Sequence, residues 1–329
     1  MGFVGGAVGF IQVVRELDLG EVERQLTAPL RILVTGSDLA QARQLADAFF
    51  GPSGTPSWSV AVASLCEGEL GDDQADLVLL AVQPMEDPLA LLQRYRRRAR
   101  RASAPVLAVL RGSSPTAGAA EDEDAPCFRV VAIPDDDAAA LTRHVPPAAL
   151  DLAPEHALAL GRRFPAFRPV VAERLIRETS RVNAQFAFLS NLPANLPLVG
   201  GLAGDVADLA VLTKNQALLV FKLAGVHGRD VQDRVSLAME IAPVIGGAFV
   251  WRTLARSLLG LLPTPIGGLP KAAVAYGGTY AVGEMARYYY STGRRPPPEL
   301  VARFQAEGAR LANEAANLLR GWRESRPNR

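Results

Sequence analysis

The residues that most invite a chemical reading follow the first strongly apolar run. Arg31-Ile-Leu-Val-Thr-Gly-Ser37 reads as a buried strand entering a turn, with Asp38 placed to cap a helix over Leu39 to Phe50. A loop that wraps phosphate at such a place needs glycines for close backbone approach, a lysine for the outer phosphates and a hydroxyl for Mg²⁺. Its spacing is G-x-x-x-x-G-K-[ST]. The run from Gly36 to Arg43 keeps only the first glycine: Gln41, Ala42 and Arg43 stand where the second glycine, the lysine and the hydroxyl belong. The N–H groups opening that helix, with Arg43 and Arg111 as cations, leave Gly36, Arg43 and Arg111 as a weak anion site. A solvated or salt-bridged arginine is the plainer reading of either side chain. After the apolar run Trp58 to Leu65, a turn that senses metal and γ-phosphate would read Asp-x-x-Gly. The sequence has Cys66-Glu67-Gly68 and, further on, Asp72-Asp73. Where a guanine-reading loop would carry Asn-Lys-x-Asp, it has Leu110-Arg111-Gly112-Ser113.

Other chemistry is thinly represented. Asp205 and Asp208 are three apart and share one side of a helix, and Glu240 and Glu284 are carboxylates in apolar surroundings. Such groups serve acid/base work or cation binding; the alternative is charge compensation by Lys214, Lys271, Arg252 or Arg256. Tyr276, Tyr280, Glu284 and Tyr288 recur every four residues, with Tyr289 and Tyr290 beside the end of the stripe. That stripe suits a partner or a bilayer interface, or simple helix packing. The only cysteines are Cys66 and Cys127, and the only histidines are His144, His156 and His227, too scattered for a metal cluster. No Ser/His/Asp grouping or nucleophile elbow appears. No catalytic residue, no metal ligand and no cofactor is therefore assigned.

The elements that must position these residues divide the 329-residue chain. Apolar runs at Arg31–Ser37, Trp58–Leu65, Ala75–Val82, Pro105–Leu110 and Phe128–Ile133 read as strands. Helices over Leu39–Phe50 and Pro88–Arg101 alternate with them. Such alternation implies a parallel, doubly wound sheet, whose ligands sit beyond the carboxyl ends of the strands. The second half is helical and apolar: a long helix with Val171, Leu175, Thr179, Val182, Phe186 and Leu189 on one face, a Pro/Gly break over Asn191–Gly204, and further helices to Tyr290. Its longest uncharged run, Val182 to Gly204, holds Asn183, Gln185, Asn191, Asn195 and two prolines, so no clean membrane span results. Arg94–Arg101 holds six arginines in eight residues, and Glu121–Asp124 and Asp135–Asp137 are acidic counterweights. The 35 basic and 34 acidic residues give a net charge of +1, against the strong basic excess of a nucleic-acid binder. Phe3–Val14 is apolar without a basic region before it, and reads as a docked helix, or alternatively as a membrane-dipping anchor.

Two stretches carry a family resemblance. The order of "ADLVLLAVQP", "APVLAVLRG" and "FRVVAIPDDD" resembles an Era-like GTPase domain over residues 30–145, shortened and without its nucleotide motifs; the alternative is an unrelated flavodoxin-like domain. The stretch "IRETSRVNAQFAFLSNLPANLPLVGGLAGDVADLAVLTKNQALLVFKLAGVHG", followed by "PIGGLPKAAVAYGGTYAVGEMARYYYSTG", resembles the domain-of-unknown-function family found fused to, or encoded beside, Era-like GTPases. It covers residues 170–293. The resemblance implies a GTPase-associated or membrane-associated helical domain without an assigned reaction. The resulting organisation is an N-terminal helical segment (1–29), a degenerate GTPase-like α/β domain of Rossmann type (30–145), a proline-rich linker (146–169), an apolar helical domain (170–293), and a C-terminal helix with a charged tail (294–329).

The expected function is a non-catalytic pseudo-GTPase adaptor or regulator. Its partners are a genuine GTPase or a second copy, with a membrane surface or lipid as a further contact and no nucleic acid. The expected location is the cytoplasmic side of a membrane; the alternative is a soluble cytoplasmic protein. Two alternative functions are a GTPase-like enzyme whose atypical phosphate loop uses Arg43 and Arg111, and an integral membrane protein.

Overall fold

The computed structural model describes residues 14–51, 59–66, 75–99, 104–112, 127–134, 138–189, 204–245 and 269–324. They form two compact units, one from Arg24 to Val171 and the other from Ala172 onward together with the residues preceding Arg24.

In the first unit, β1 (Ile32–Gly36), β2 (Val60–Ser64), β3 (Leu77–Val82), β4 (Val106–Arg111) and β5 (Phe128–Ile133) make one sheet in the order β2-β1-β3-β4-β5. All four pairings are parallel, with Ile32 level with Val60 and Leu77, and Val106 level with Val78 and Phe128. This doubly wound order is also that of flavodoxin-like sheets, and its ligand crevice lies between β1 and β3. Helices α1 (Gly20–Thr27), α2 (Leu39–Phe50), α3 (Pro88–Arg98) and α4 (Ala138–Leu152) accompany these strands in the chain. β3 is buried along its whole length, as a strand covered on both faces must be. On one face Leu91, Leu92 and Tyr95 of α3 cover Leu33, Val78 and Leu80. α2 packs on β1 and β2, and α4 on β5 and β4.

Residues 146–169, read from the sequence as a linker, are instead folded into this unit. α4 runs through Pro146 and Pro147 to Leu152, and α5 (Ala157–Arg163) follows a 3-10 turn at Pro154–His156. A second such turn, Pro165–Phe167, leads into α6 (Arg168–Leu189). The prolines look like a linker because they cluster, yet Pro154 and Pro165 each open a helical turn, where the missing N–H goes unneeded. Phe164 and Phe167 pack against Phe49 and Phe50 of α2. The Phe50 ring lies 4.6 Å edge-on from Phe164 and parallel to Phe167 at 6.4 Å.

The second unit adds α7 (Gly204–Val226), α8 (Arg234–Ile245), α9 (Leu269–Thr292) and α10 (Pro298–Glu324) to most of α6. α9 packs against α7, α8 and α10. Gly283 lets α9 close on α6, because a Cβ there would meet Ile176 Cγ1 at 2.6 Å. Gly277 of α9 crosses Gly308 of α10 backbone against backbone; a Cβ on Gly308 would lie 2.6 Å from the Gly277 carbonyl oxygen. Val14, Leu17 and Leu19 are buried, and the Arg234 guanidinium donates to the Leu17 carbonyl at 2.6 Å.

The buried face of α6 departs from the expected stripe. Val171 and Leu175 face inward, but so do Ser180, Asn183 and Ala187, while Val182 and Leu189 are about half exposed, at 52% and 50%. Asn183 is tolerated inside because both ends of its amide are engaged: Nδ2 donates to Thr279 Oγ1 at 2.9 Å, and Oδ1 accepts from Asn215 Nδ2 at 2.7 Å. Among the described residues no helix is long and apolar enough to cross a membrane.

Candidate functional site

The crevice beyond the carboxyl ends of β1 and β3 is where a doubly wound sheet would take a ligand. β1 ends on Gly36, paired with Ala81 of β3. A Cβ on Gly36 would sit 2.7 Å from the Ala81 carbonyl oxygen, so this close strand approach requires glycine. The chain then turns through Ser37 and Asp38 into α2. Asp38 accepts from the Ala40 N–H at 2.7 Å, capping the helix. From the opposite side comes the β3–α3 loop, Gln83 to Asp87. The Ser37 hydroxyl donates a short hydrogen bond to Glu86 Oε1, and the Gln83 N–H donates to Oε2 at 3.0 Å. Asp87 caps α3 by accepting from the Leu89 N–H at 3.0 Å, with Pro88 in the first turn.

The Glu86 carboxylate and the capping Asp38 therefore stand at the β1 turn, while Asp87 caps the helix that follows β3. The Ala40 N–H at the start of α2 is taken by Asp38, and the Ser37 hydroxyl of the β1 turn is held by Glu86.

The three anion-site residues proposed from sequence are all among the described residues. Gly36 is the β1 terminus just described. Arg43 is exposed on α2. Arg111, at the end of β4, donates to Gln44 Oε1 at 3.3 Å, one residue along from Arg43. Of the β2 turn, Cys66 is described: it is exposed, and its Sγ lies 3.5 Å from an Arg94 guanidinium nitrogen. Glu67, Gly68, Asp72, Asp73 and the acidic stretches 121–124 and 135–137 lie outside the described residues.

In the helical unit, Glu284 pairs with Arg287 at 2.6 Å, and Glu240 with Arg229 at 2.8 Å. These are other arginines than the compensating cations expected from sequence. Burial holds the Glu284 carboxyl above the ordinary range, with the Arg287 guanidinium opposing. The side chains of Asp205, Asp208, Arg252, Arg256 and Lys271 lie outside the described ones. The tyrosine stripe is half-buried. Burial, assisted by the Glu284 and Glu307 charges, raises the Tyr280 hydroxyl. Tyr290, stacked 6.2 Å from His227, is raised chiefly by burial.

Two constellations escape sequence reasoning. One is the Glu86 clamp on Ser37. The other is a buried amide–hydroxyl cluster, in which Thr279 Oγ1 accepts from Asn183 and from Gln216 Nε2 at 3.1 Å and donates to the Ala275 carbonyl at 2.8 Å. That cluster ties α6, α7 and α9 together and leaves the Thr279 hydroxyl saturated, with no capacity for a ligand. Among the described residues no group of three or more His, Cys, Asp and Glu is placed to hold a metal ion. No protein-family model, no curated protein and no solved structure matches the sequence.

Proposed function

We propose that this chain is a non-catalytic adaptor. Its α/β unit is a GTPase-like domain without phosphate machinery, serving as a recognition surface for a genuine GTPase or a second copy. The observation that carries this reading is the Glu86 carboxylate seated on the Ser37 hydroxyl, beside the capping Asp38, at the β1/β3 crevice. An enzyme of this architecture places its cations and free N–H groups there. This chain places carboxylates there instead, and its three lysines, Lys214, Lys222 and Lys271, are all in the helical half. The adaptor role is the same for a GTPase-like or a flavodoxin-like ancestry of the sheet, because in both the crevice between β1 and β3 is the ligand position.

Titration calorimetry of the full chain with GTP and GDP, with and without Mg²⁺, tests the reading directly. No heat of binding is expected up to millimolar nucleotide. Micromolar affinity that requires Mg²⁺ would refute it and favour the alternative enzyme, in which Arg43 and Arg111 contact phosphate.

The helical unit supplies attachment to a membrane surface on its cytoplasmic side, or to a partner. Support comes from the second half of α6. Its buried face holds Ser180 and Asn183, whereas Val182, Phe188 and Leu189 are exposed. Exposed apolar groups beside a hydrogen-bonded amide turned inward, as at Asn183, are what a lipid or apolar protein environment favours.

A further inference from the structure

We infer that the outer face of α3 is a docking surface for an anionic phospholipid bilayer. From Pro88 to Ala99 the sequence holds four arginines, Arg94, Arg96, Arg97 and Arg98, and no acidic residue. All four are exposed. Arg98 donates to the Leu65 carbonyl and Arg94 lies against Cys66 Sγ, so this end of the helix is fixed to the end of β2. Among the described residues no carboxylate pairs with Arg94, Arg96 or Arg97. The acids nearest in sequence, Glu86 and Asp87, are engaged at the other end of the helix. Glu86 holds the Ser37 hydroxyl and the Gln83 N–H, and Asp87 caps the Leu89 N–H. From Asp87 to Arg97 is about 15 Å along the helix.

Because Leu91, Leu92 and Tyr95 face the core, Leu89, Ala90, Gln93, Arg94, Arg96 and Arg97 are turned outward. Among the described residues, α3 alone of the helices contributes to the core on this face of the sheet. It stands there as a ridge, cationic over its last turns.

Charge complementarity requires an anionic occupant, and two observations favour lipid over an acidic protein. A protein segment docks into a groove or along a sheet edge. A ridge offers neither, whereas a planar surface meets it along its whole length. Next, Met85 is 96% exposed and Leu89 39% exposed, just ahead of the arginines. An acidic protein leaves such groups idle; a bilayer takes them up at the boundary of headgroups and acyl chains. The guanidiniums then grip phosphate oxygens in pairs while their methylene stems lie against apolar surface. A net charge of +1 leaves no wider basic field for nucleic acid. The contact is independent of the β1/β3 crevice and separate from the apolar attachment proposed for the helical unit.

The test is flotation of the full chain with two kinds of vesicle, phosphatidylcholine alone and equal parts phosphatidylcholine and phosphatidylglycerol. At low salt the mixed vesicles should bind more tightly by about fivefold per arginine, on the order of a hundredfold for Arg94, Arg96 and Arg97 together. At about 1 M salt that excess should vanish. Arg94→Gln, Arg96→Gln and Arg97→Gln combined keep good helix formers and should remove the excess with an unchanged circular dichroism spectrum. Met85→Ser with Leu89→Ser should weaken binding to the mixed vesicles several-fold and leave its salt dependence intact. Phe188→Glu with Leu189→Glu should keep the low-salt excess and lose the binding that survives at about 1 M salt, so the two attachments fail separately. Equal affinity for both vesicles at low salt overturns the inference. So does an excess that survives the three glutamines or high salt. Polyglutamate that binds as tightly as the mixed vesicles, and is indifferent to Met85→Ser with Leu89→Ser, also overturns it and assigns the face to an acidic protein.

Discussion

Glu284 shows how an apolar helix bundle changes one residue's chemistry. Its side chain is 5% exposed, whereas its partner Arg287 is 36% exposed and can be hydrated when unpaired. Removal of water is the largest influence on the carboxyl and raises it; Arg287 opposes, Glu173 adds to the rise and Arg177 reduces it. A carboxyl raised in the folded state binds its proton more tightly there than in the unfolded chain. Stability through this group therefore rises as pH falls toward the unfolded value of about 4.3, and declines as pH rises through the folded one. Glu284→Gln should melt at the same or a higher temperature than the parent at pH 7.5, and should lose the parent's relative gain between pH 7.5 and 5. Thermal melts of both proteins across that range decide it; a Glu284→Gln protein markedly less stable at pH 7.5 would show that pairing outweighs burial. The nucleotide-loop deficit was legible at this scale, because Gln41, Ala42 and Arg43 are the wrong residue types wherever the loop lies. The Glu86 clamp was not. A glutamate in the loop after an apolar strand looks like any surface acid until the β1 turn is seen to face it across the crevice.

Helices and strands differ in how much of their packing a sequence displays. β1, β3 and β4 were readable because buried parallel strands are nearly continuous apolar runs. α6 was misread over its second half, because its inward face is chosen by close approach and amide pairing, which hydrophobic periodicity does not record. Asn183 and Ser180 look like solvent residues, and Val182 and Leu189 like core. The crossing of α9 and α10 gives a sign test of the same idea. In an exposed helix, Gly→Ala stabilises by about 1 kcal/mol through propensity. At Gly308 the added carbon would meet the Gly277 carbonyl, and backbone must move. Gly308→Ala should instead destabilise by about 1–3 kcal/mol, the usual cost of overpacking. Denaturant titration followed by circular dichroism measures this, and a stabilised variant would mean that the two helices separate freely.

For the molecule as a whole, division of labour between the units is the central expectation. The full chain should float with phosphatidylcholine–phosphatidylglycerol vesicles in a density gradient and remain bound at about 1 M salt, since apolar contact is not screened. Phe188→Glu with Leu189→Glu should leave it in the dense fraction. If the unaltered chain also stays there, attachment is to a protein. The fold class was legible at this scale, but the boundary was not, because prolines that start helical turns resemble those of a spacer. The Phe49–Phe50–Phe164–Phe167 cluster carries that difference into the cell. As the chain emerges from the ribosome, all five strands are available once Ile133 is out, yet Phe49 and Phe50 still lack their partners. Synthesis at about 5–20 residues per second leaves this aromatic surface bare for a few seconds before Phe167 appears. In that interval the nascent sheet is a natural substrate for a chaperone.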